Sequence, residues 1–192
     1  MAASSAPRKM GKMWLVTGPP AVGKSTLVSR VVLKLKSRGV IVGGCTTGER
    51  RVRGTRVGFE VRDLTNGTQG ELASTTRRLG PRVGKYRVNL ADLGSVGAKG
   101  IADAVDGSEL IVIDEIGPME LVSPDFRRAV RKGIDSGKPI LAVVHERLED
   151  DLLTEMKSKA DTLLELDTNN RDQAVEDIAS EIMAAVKLPK SS

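Results

Sequence analysis

Gly18, Gly23, Lys24 and Ser25, and much later in the chain Asp114 and Glu115, are residues whose types and spacing suit chemistry on a phosphoanhydride. Gly18 to Ser25 reads GPPAVGKS, a full match to the GxxxxGKS phosphate-binding pattern, with Pro19, Pro20, Ala21 and Val22 between the glycines and Thr26 following. Glycines at both ends let the backbone take up conformations closed to residues with a Cβ, so successive amide N–H groups can point inward at phosphate oxygens. Lys24 then serves the outer phosphates as a point charge, the Ser25 hydroxyl can ligate Mg²⁺, and a following helix adds the partial positive charge of its N-terminus. Asp114 and Glu115 end the apolar run Leu110, Ile111, Val112, Ile113. A carboxylate at the end of a buried strand is expensive to leave unpaired. Beside a phosphate loop the pair has a specific use: Asp114 holds Mg²⁺ through its water shell or through Ser25, and Glu115 orients and polarises a water aimed at the γ-phosphate.

Such a site needs a strand and a helix around the glycine loop, and the sequence supplies both. Met13, Trp14, Leu15 and Val16 run directly into Gly18, and Leu27, Val28, Val31, Val32 and Leu35 recur at helical spacing behind it. Further on, Val40 to Val42 reads as a buried strand, and Val57, Phe59 and Val61 alternate with polar residues as in a strand with one wet face. A hairpin-type turn at Thr65 to Thr68 leads to a short strand at Gly70 to Ala73, and Lys85 to Leu90 alternates again. This middle region therefore reads as antiparallel ribbon added to an α/β core. Gly94, Gly97 and Gly100 predict a short or broken helix over Ala91 to Val105. Strands are predicted at Leu110 to Ile113, Pro139 to Val144 and Thr162 to Leu166. Helices follow from a Ser123, Pro124, Asp125 start, near Leu148 to Lys157, and from Arg171 to Val186. Strand and helix alternate, which predicts a mostly parallel sheet with helices on both faces, in one domain over 13–187 behind a flexible tail over 1–12.

Here the motifs meet a family. DEIGPMEL from Asp114 to Leu121, with GPPAVGKST, GTRVGFEV and VGKYRVNL, resembles the small nucleoside-triphosphatases first named from thermophiles, the Thep-one type. The resemblance spans Met13 to about Ile182. It implies a RecA-like variant of the P-loop fold and slow, Mg²⁺-dependent hydrolysis of ATP, GTP and other nucleoside triphosphates. It also implies nucleotide contacts from Gly18 to Ser25 and along Leu110, Ile111, Val112, Ile113, Asp114, Glu115, Ile116 and Gly117. Glu49, Arg51, Arg56, Gly58 and Phe59 match the family's acid-and-arginine segment, and Lys85 with Tyr86 its GKY element. Cys45 stands where relatives often carry an aromatic, and Pro118 where many have Lys, so no lysine role carries over there.

Arg51, Arg56 and Lys85 are candidates for stabilising charge on the γ-phosphate, from the same chain or a neighbouring one, with surface ion pairing as the alternative. His145, the only histidine, ends a strand and can either sense the γ-phosphate or serve as a satisfied strand-end residue. Asn170 and Arg171, between the last strand and helix, stand where nucleotide-binding α/β folds often receive the base, while Asn170 also suits a helix cap. Cys45 reads as a small buried residue at a strand end, not as a nucleophile.

The net charge of +5 is concentrated between Glu49 and Arg87, where ten basic residues face four acidic ones. Such a patch suits nucleic acid or polyphosphate, but only Phe59 and Tyr86 are available for stacking, which weighs against nucleic acid. A phosphotransferase acting on a small acceptor and a nucleic-acid-associated ATPase remain the rival functions. No apolar run approaches membrane-spanning length, and a single cysteine fits a reducing, cytoplasmic setting. Nothing in the pattern demands more than a monomer.

Overall fold

The computed structural model describes residues 11–187. Its strands are β1 (Met13–Thr17), β2 (Val42–Val52), β3 (Thr55–Asp63), β4 (Gln69–Ser74), β5 (Arg82–Val83), β6 (Tyr86–Val88), β7 (Leu110–Ile116), β8 (Ile140–Val144) and β9 (Thr162–Glu165). They form one sheet in the order β5-β6-β4-β3-β2-β7-β8-β1-β9. From β2 to β9 the neighbours are parallel, and from β2 to β5 they are antiparallel. The core and the ribbon are thus one surface, joined by β2. Its first half pairs with β7 through Thr46 opposite Asp114, and its second half continues past the carboxyl edge of the parallel strands as one arm of a hairpin with β3.

That dual role explains why only the entry to β2 is legible as a strand. Val42 to Cys45 are buried between two layers, whereas Glu49 to Val52 are exposed, so the apolar signal stops while the strand goes on. The two-residue β5 is too short to show any period. The remaining strands fall within a residue or two of their expected bounds, apart from β7, which runs on through Ile116.

Helices α1 (Lys24–Lys36) and α7 (Arg171–Lys187) cover one face of the parallel strands, where Leu27, Val31, Leu35, Ile178 and Ile182 pack on Trp14, Val16, Val112 and Val143. The opposite face carries a helical stretch that runs from α2 (Leu90–Asp92) through a π-helical segment (Leu93–Ala98) into α3 (Lys99–Gly107). The run is not broken as the three glycines predict: it stays helical throughout, with Gly94 and Gly97 in the π-helical segment and Gly100 inside α3. Then come α4 (Pro118–Leu121), α5 (Pro124–Asp135) and α6 (Asp151–Lys159). Ile101, Phe126, Val130, Leu152 and Met156 close that layer over Leu15, Ile113 and Ala142. β7 and β8 are apolar throughout their core-facing lengths because both their faces are covered. Each fully buried side chain of this size contributes about 1.5–3 kcal/mol relative to exposure.

Helix starts follow the local sequence. Ser123 caps α5 by accepting from the Phe126 N–H, with Pro124 in the first turn, and Asp150 caps α6 by accepting from the Leu152 N–H. α6 therefore begins at Asp151, three residues later than the apolar pattern suggests. Residues 1–10 of the expected tail lie outside the described residues. Gly11 packs against Lys138, and the Lys12 carbonyl accepts from the Ile140 N–H at 2.9 Å, which lays this segment along β8.

Candidate active site

The phosphate loop joins β1 to α1. Gly18 has φ +138°, and a Cβ there would lie 2.6 Å from the Leu166 carbonyl oxygen, so only glycine fits between β1 and the end of β9. Gly23, with φ +111°, precedes α1 with no side-chain cap, which leaves the first N–H groups of the helix turned toward the loop. Lys24 folds over this loop: its Nζ donates to the carbonyls of Gly18 (2.7 Å) and Pro19 (2.9 Å). Ala21 takes up φ +63°, and Pro19, Pro20 and Ala21 are exposed.

β8 lies between β1 and β7, so the loop and the end of β7 are two strand spacings apart along one carboxyl edge. α1 closes the gap. The Ser25 hydroxyl in its first turn donates to Asp114 Oδ1 at 3.1 Å, across 89 positions of sequence. Asp114 is 1% exposed, and burial pushes its carboxyl up to about 7 against the restraining bond from Ser25. Glu115 follows it, half-buried at the edge. Leu110 to Ile113 are wholly enclosed in the sheet. They carry Asp114 in register; Ile116 and Gly117 are buried as well, and Glu115 is the residue of 110–117 that borders solvent.

These donors fit a hard divalent cation. Among the described residues no group of three or more His, Cys, Asp and Glu could hold a metal by itself. One hydroxyl and one buried carboxylate beside a phosphate cradle are instead the set Mg²⁺ takes when substrate oxygens and water fill its other positions.

Other candidates lie elsewhere. Arg51 bonds Glu49 (2.6 Å) and the Gly54 carbonyl, and Arg56 bonds Glu49 (2.5 Å) and the Tyr86 hydroxyl (3.1 Å) while lying over the Phe59 ring. Arg56, then Arg51, hold the Glu49 carboxyl below its usual range. Both arginines sit in the β2–β3 hairpin, and Arg51 is five residues beyond Thr46, about 16 Å further along the strand than the level of Asp114. Lys85 is exposed beside the Tyr86 ring. Arg50 and Arg77 share Glu71, and Tyr86 is buried edge-on to Phe59, so neither ring of the basic stretch presents a free stacking face.

His145 Nδ1 accepts from the N–H groups of Arg147 and Leu148, a closed turn after β8. Asn170 faces back into its loop, its Nδ2 donating to the Glu165 carbonyl and its Oδ1 accepting from the Asp167 N–H, so its side chain does not cap α7. Arg171 is exposed in the first turn of that helix. The loop nonetheless flanks the phosphate site, because the Leu166 N–H donates to the Thr17 carbonyl beside Gly18. Cys45 lies inside β2, not at its end, and burial together with the Glu120, Asp114 and Asp63 carboxylates drives its thiol far above the usual range. It is no nucleophile.

Glu120 is the residue that the sequence reading passed over. It is 5% exposed, and one of its carboxyl oxygens accepts from the Gly117 N–H at 3.0 Å. The signal was available: an acid three residues after a helix-start position, with proline between, is the back-reaching half of a capping box. Burial, with the charges of Glu115 and Asp114, pushes its carboxyl up to about 8. Raised above the unfolded value, this group stabilises the fold at acid pH and loses that contribution as pH climbs from about 4.5 toward 8. The thermal midpoint of the wild-type chain is therefore expected to fall relative to Glu120→Gln between pH 5.5 and 8, then level off. Each pH unit crossed is worth up to about 1.4 kcal/mol, or roughly 3–5 °C. Parallel melting curves that do not diverge over this range would show that Glu120 is ionised throughout.

A family model described as NTPase matches residues 13–179. The nucleoside-triphosphatase THEP1 of Thermofilum pendens is 53% identical over 136 residues, 71% of this chain and 75% of that protein. THEP1 of Methanosarcina acetivorans is 44% identical over 169 residues, 88% of this chain and 95% of that protein. Among solved structures, that of THEP1 from Aquifex aeolicus matches with a TM-score of 0.78 at 32% identity, covering 88% of this chain and 98% of that one. A human cancer-related nucleoside triphosphatase matches with a TM-score of 0.77 at 32% identity, covering 91% and 99%. A phosphate loop joined to a strand-end acid pair in a RecA-like sheet, under a family model spanning most of its length, shows that this chain belongs to the P-loop NTPase family of the THEP1 type.

Proposed function

We propose that this protein is a Mg²⁺-dependent hydrolase that converts ATP, GTP and other nucleoside triphosphates to diphosphate and phosphate with little base selectivity. The observation that carries this is the Ser25 to Asp114 hydrogen bond, which brings the two chemistry-bearing motifs to one point. The backbone N–H groups of Gly18 to Ser25 bind the β- and γ-phosphate oxygens. Lys24 exchanges its two carbonyl partners for those oxygens, which costs little because both states satisfy its donors. Ser25 and Asp114 would hold the metal, which would supply positive charge to the phosphates. A buried carboxylate with only a hydroxyl partner favours that cation, since its charge repays the desolvation that raises the Asp114 carboxyl.

Glu115 accepts a proton from, or aligns, the attacking water on the γ side. Adjacent acids can divide these tasks because their environments differ: Asp114 is enclosed and Glu115 borders solvent. The loop 167–171, which follows the Leu166 bond to Thr17 beside the phosphate loop, would receive the base, and Asn170 makes one bond from each end of its amide within that loop. Arg51 and Arg56 join the transition state only if the hairpin releases them from Glu49, in this chain or from a second copy. Lys24 therefore carries the first share of the γ-phosphate charge.

Phosphate release should be measured against a panel of ribonucleoside triphosphates, with Mg²⁺ and with excess chelator. Expected rates agree within about tenfold across the bases, a span of about 1.4 kcal/mol, and chelation reduces release to background. Release that appears only with a hydroxyl acceptor would mark a phosphotransferase instead.

A further inference from the structure

We propose that Glu120 is a positioning residue for the hydrolytic reaction, holding Glu115 in the orientation that the attacking water requires by bracing the Gly117 turn between them. This rests on the assignment of Glu115 as the group that handles the water.

Three observations carry it. First, Glu120 is buried with no basic partner among the described residues, and its carboxyl reaches back across one turn of α4 to the Gly117 N–H. Secondly, a methyl group on Gly117 would stand 3.1 Å from Glu115 Oε1 and 3.3 Å from Glu120 Oε2. Both carboxyl groups therefore converge on the same face of Gly117, where the missing side chain leaves them room. Thirdly, the turn is fixed at its other bonds: Leu121 N–H to the Gly117 carbonyl (3.0 Å), Ser123 N–H to the Glu120 carbonyl (3.1 Å), and His145 N–H to the Ile116 carbonyl (3.1 Å). With the backbone of the turn held by these bonds, the Glu120 carboxyl is the side chain that ties the Gly117 N–H.

Stability alone does not explain this acid. A four-residue helix gains little from a buried carboxyl facing two others, and a buried acid without a cation costs free energy. Its placement makes sense if the neutral carboxyl is a spacer: it pins the turn through Gly117 and packs beside Glu115, leaving the Glu115 carboxylate one direction to face.

The test uses the full chain and follows kcat and KM for ATP with Mg²⁺, together with the thermal midpoint, for Glu120→Leu, Glu120→Gln, Glu115→Gln and the double variant Glu115→Gln/Glu120→Leu. Glu120→Leu is expected to lower kcat by about 10- to 100-fold, the range seen when a supporting partner is lost, with KM nearly unchanged. Glu120→Gln keeps an oxygen for the Gly117 N–H and should restore kcat to within a few-fold. If Glu120 acts through Glu115, adding Glu120→Leu to Glu115→Gln should lower kcat by no more than about twofold. Multiplicative loss in the double variant, or a Glu120→Leu enzyme as active as wild type while Glu115→Gln is impaired, overturns the proposal and leaves the Glu115 assignment standing. Full activity in Glu115→Gln removes that assignment instead, and the positioning role with it. Should Glu120→Leu not fold, Gly117→Ala decides: the backbone there is extended and accepts alanine, so a methyl between the two carboxyl groups should lower kcat as Glu120→Leu would, and a fully active Gly117→Ala refutes the role.

Discussion

Glu115→Gln is expected to keep nucleotide affinity while turnover falls by about 10²- to 10⁴-fold, the contribution of a positioned proton acceptor. The substitution preserves size and one oxygen but removes the charge and the capacity to take a proton. Glu115 stands next to the buried Asp114 at the end of β7, and its side chain borders solvent where a water can approach. It makes no ion pair among the described residues, so its removal breaks no structural contact of that kind. The phosphate loop, Lys24 and the Ser25–Asp114 bond are untouched, and binding energy in the ground state remains. An effect confined to kcat is the signature of an interaction made only in the transition state. Equilibrium binding of a fluorescent nucleotide, with single-turnover phosphate release on the same samples, separates the two quantities. Unchanged turnover would take Glu115 out of the mechanism, and a parallel fall in affinity would make it a ligand-binding group.

How far the sequence discloses this site depends on whether a feature is local. The phosphate loop is legible because cradling an anion requires a short, contiguous arrangement: glycines at Gly18 and Gly23, then Lys24 and Ser25 at the head of a helix. Asp114 and Glu115 are legible because acids at the end of a fully apolar strand contradict burial and need a reason. The glycines over 91–105 predict a short or broken helix, whereas the run from Leu90 to Gly107 stays helical and turns π-helical only over Leu93–Ala98; the start of α5 follows from Ser123 and Pro124. The order β1-β8-β7 is another matter, since no periodicity tells which strand lies between two others. The motifs imply that Ser25 and Asp114 meet, and the structure gives the contact and the strand order behind it. The same limit hid the real length of β2, because a strand leaving the covered core loses its apolar alternation without losing its hydrogen bonds. It also hid the setting of Arg51 and Arg56, whose types suit phosphate but whose hairpin gives them Glu49. Glu120 shows the opposite case: its capping pattern was readable, but its burial beside Glu115 depends on the fold of the turn.

Lys24→Met is expected to weaken both binding and turnover, lowering kcat/KM by about 10³-fold or more, since a single preorganised donor at developing charge is worth 10²–10³ in kcat and this one also meets the ground-state phosphates. The structure explains why the loss is of function and not of fold. Lys24 Nζ rests on the Gly18 and Pro19 carbonyls at the rim of the loop, where water can replace it, and the buried layer beneath is formed by Leu27, Val28 and Val31. The thermal midpoint of the nucleotide-free protein should therefore move by only a few degrees. Lys24→Arg is no rescue: a planar guanidinium is larger and forks its donors, whereas the loop is closed over a compact ammonium held by two adjacent carbonyls. The contrast with Glu115→Gln is diagnostic. One variant binds nucleotide and fails to cleave it, and the other fails to bind. Calorimetric titration of a nonhydrolysable triphosphate into both proteins measures this directly. If Lys24→Met binds as tightly as wild type, the loop from Gly18 to Ser25 holds the phosphates through its backbone alone, and the lysine must be reassigned to the transition state.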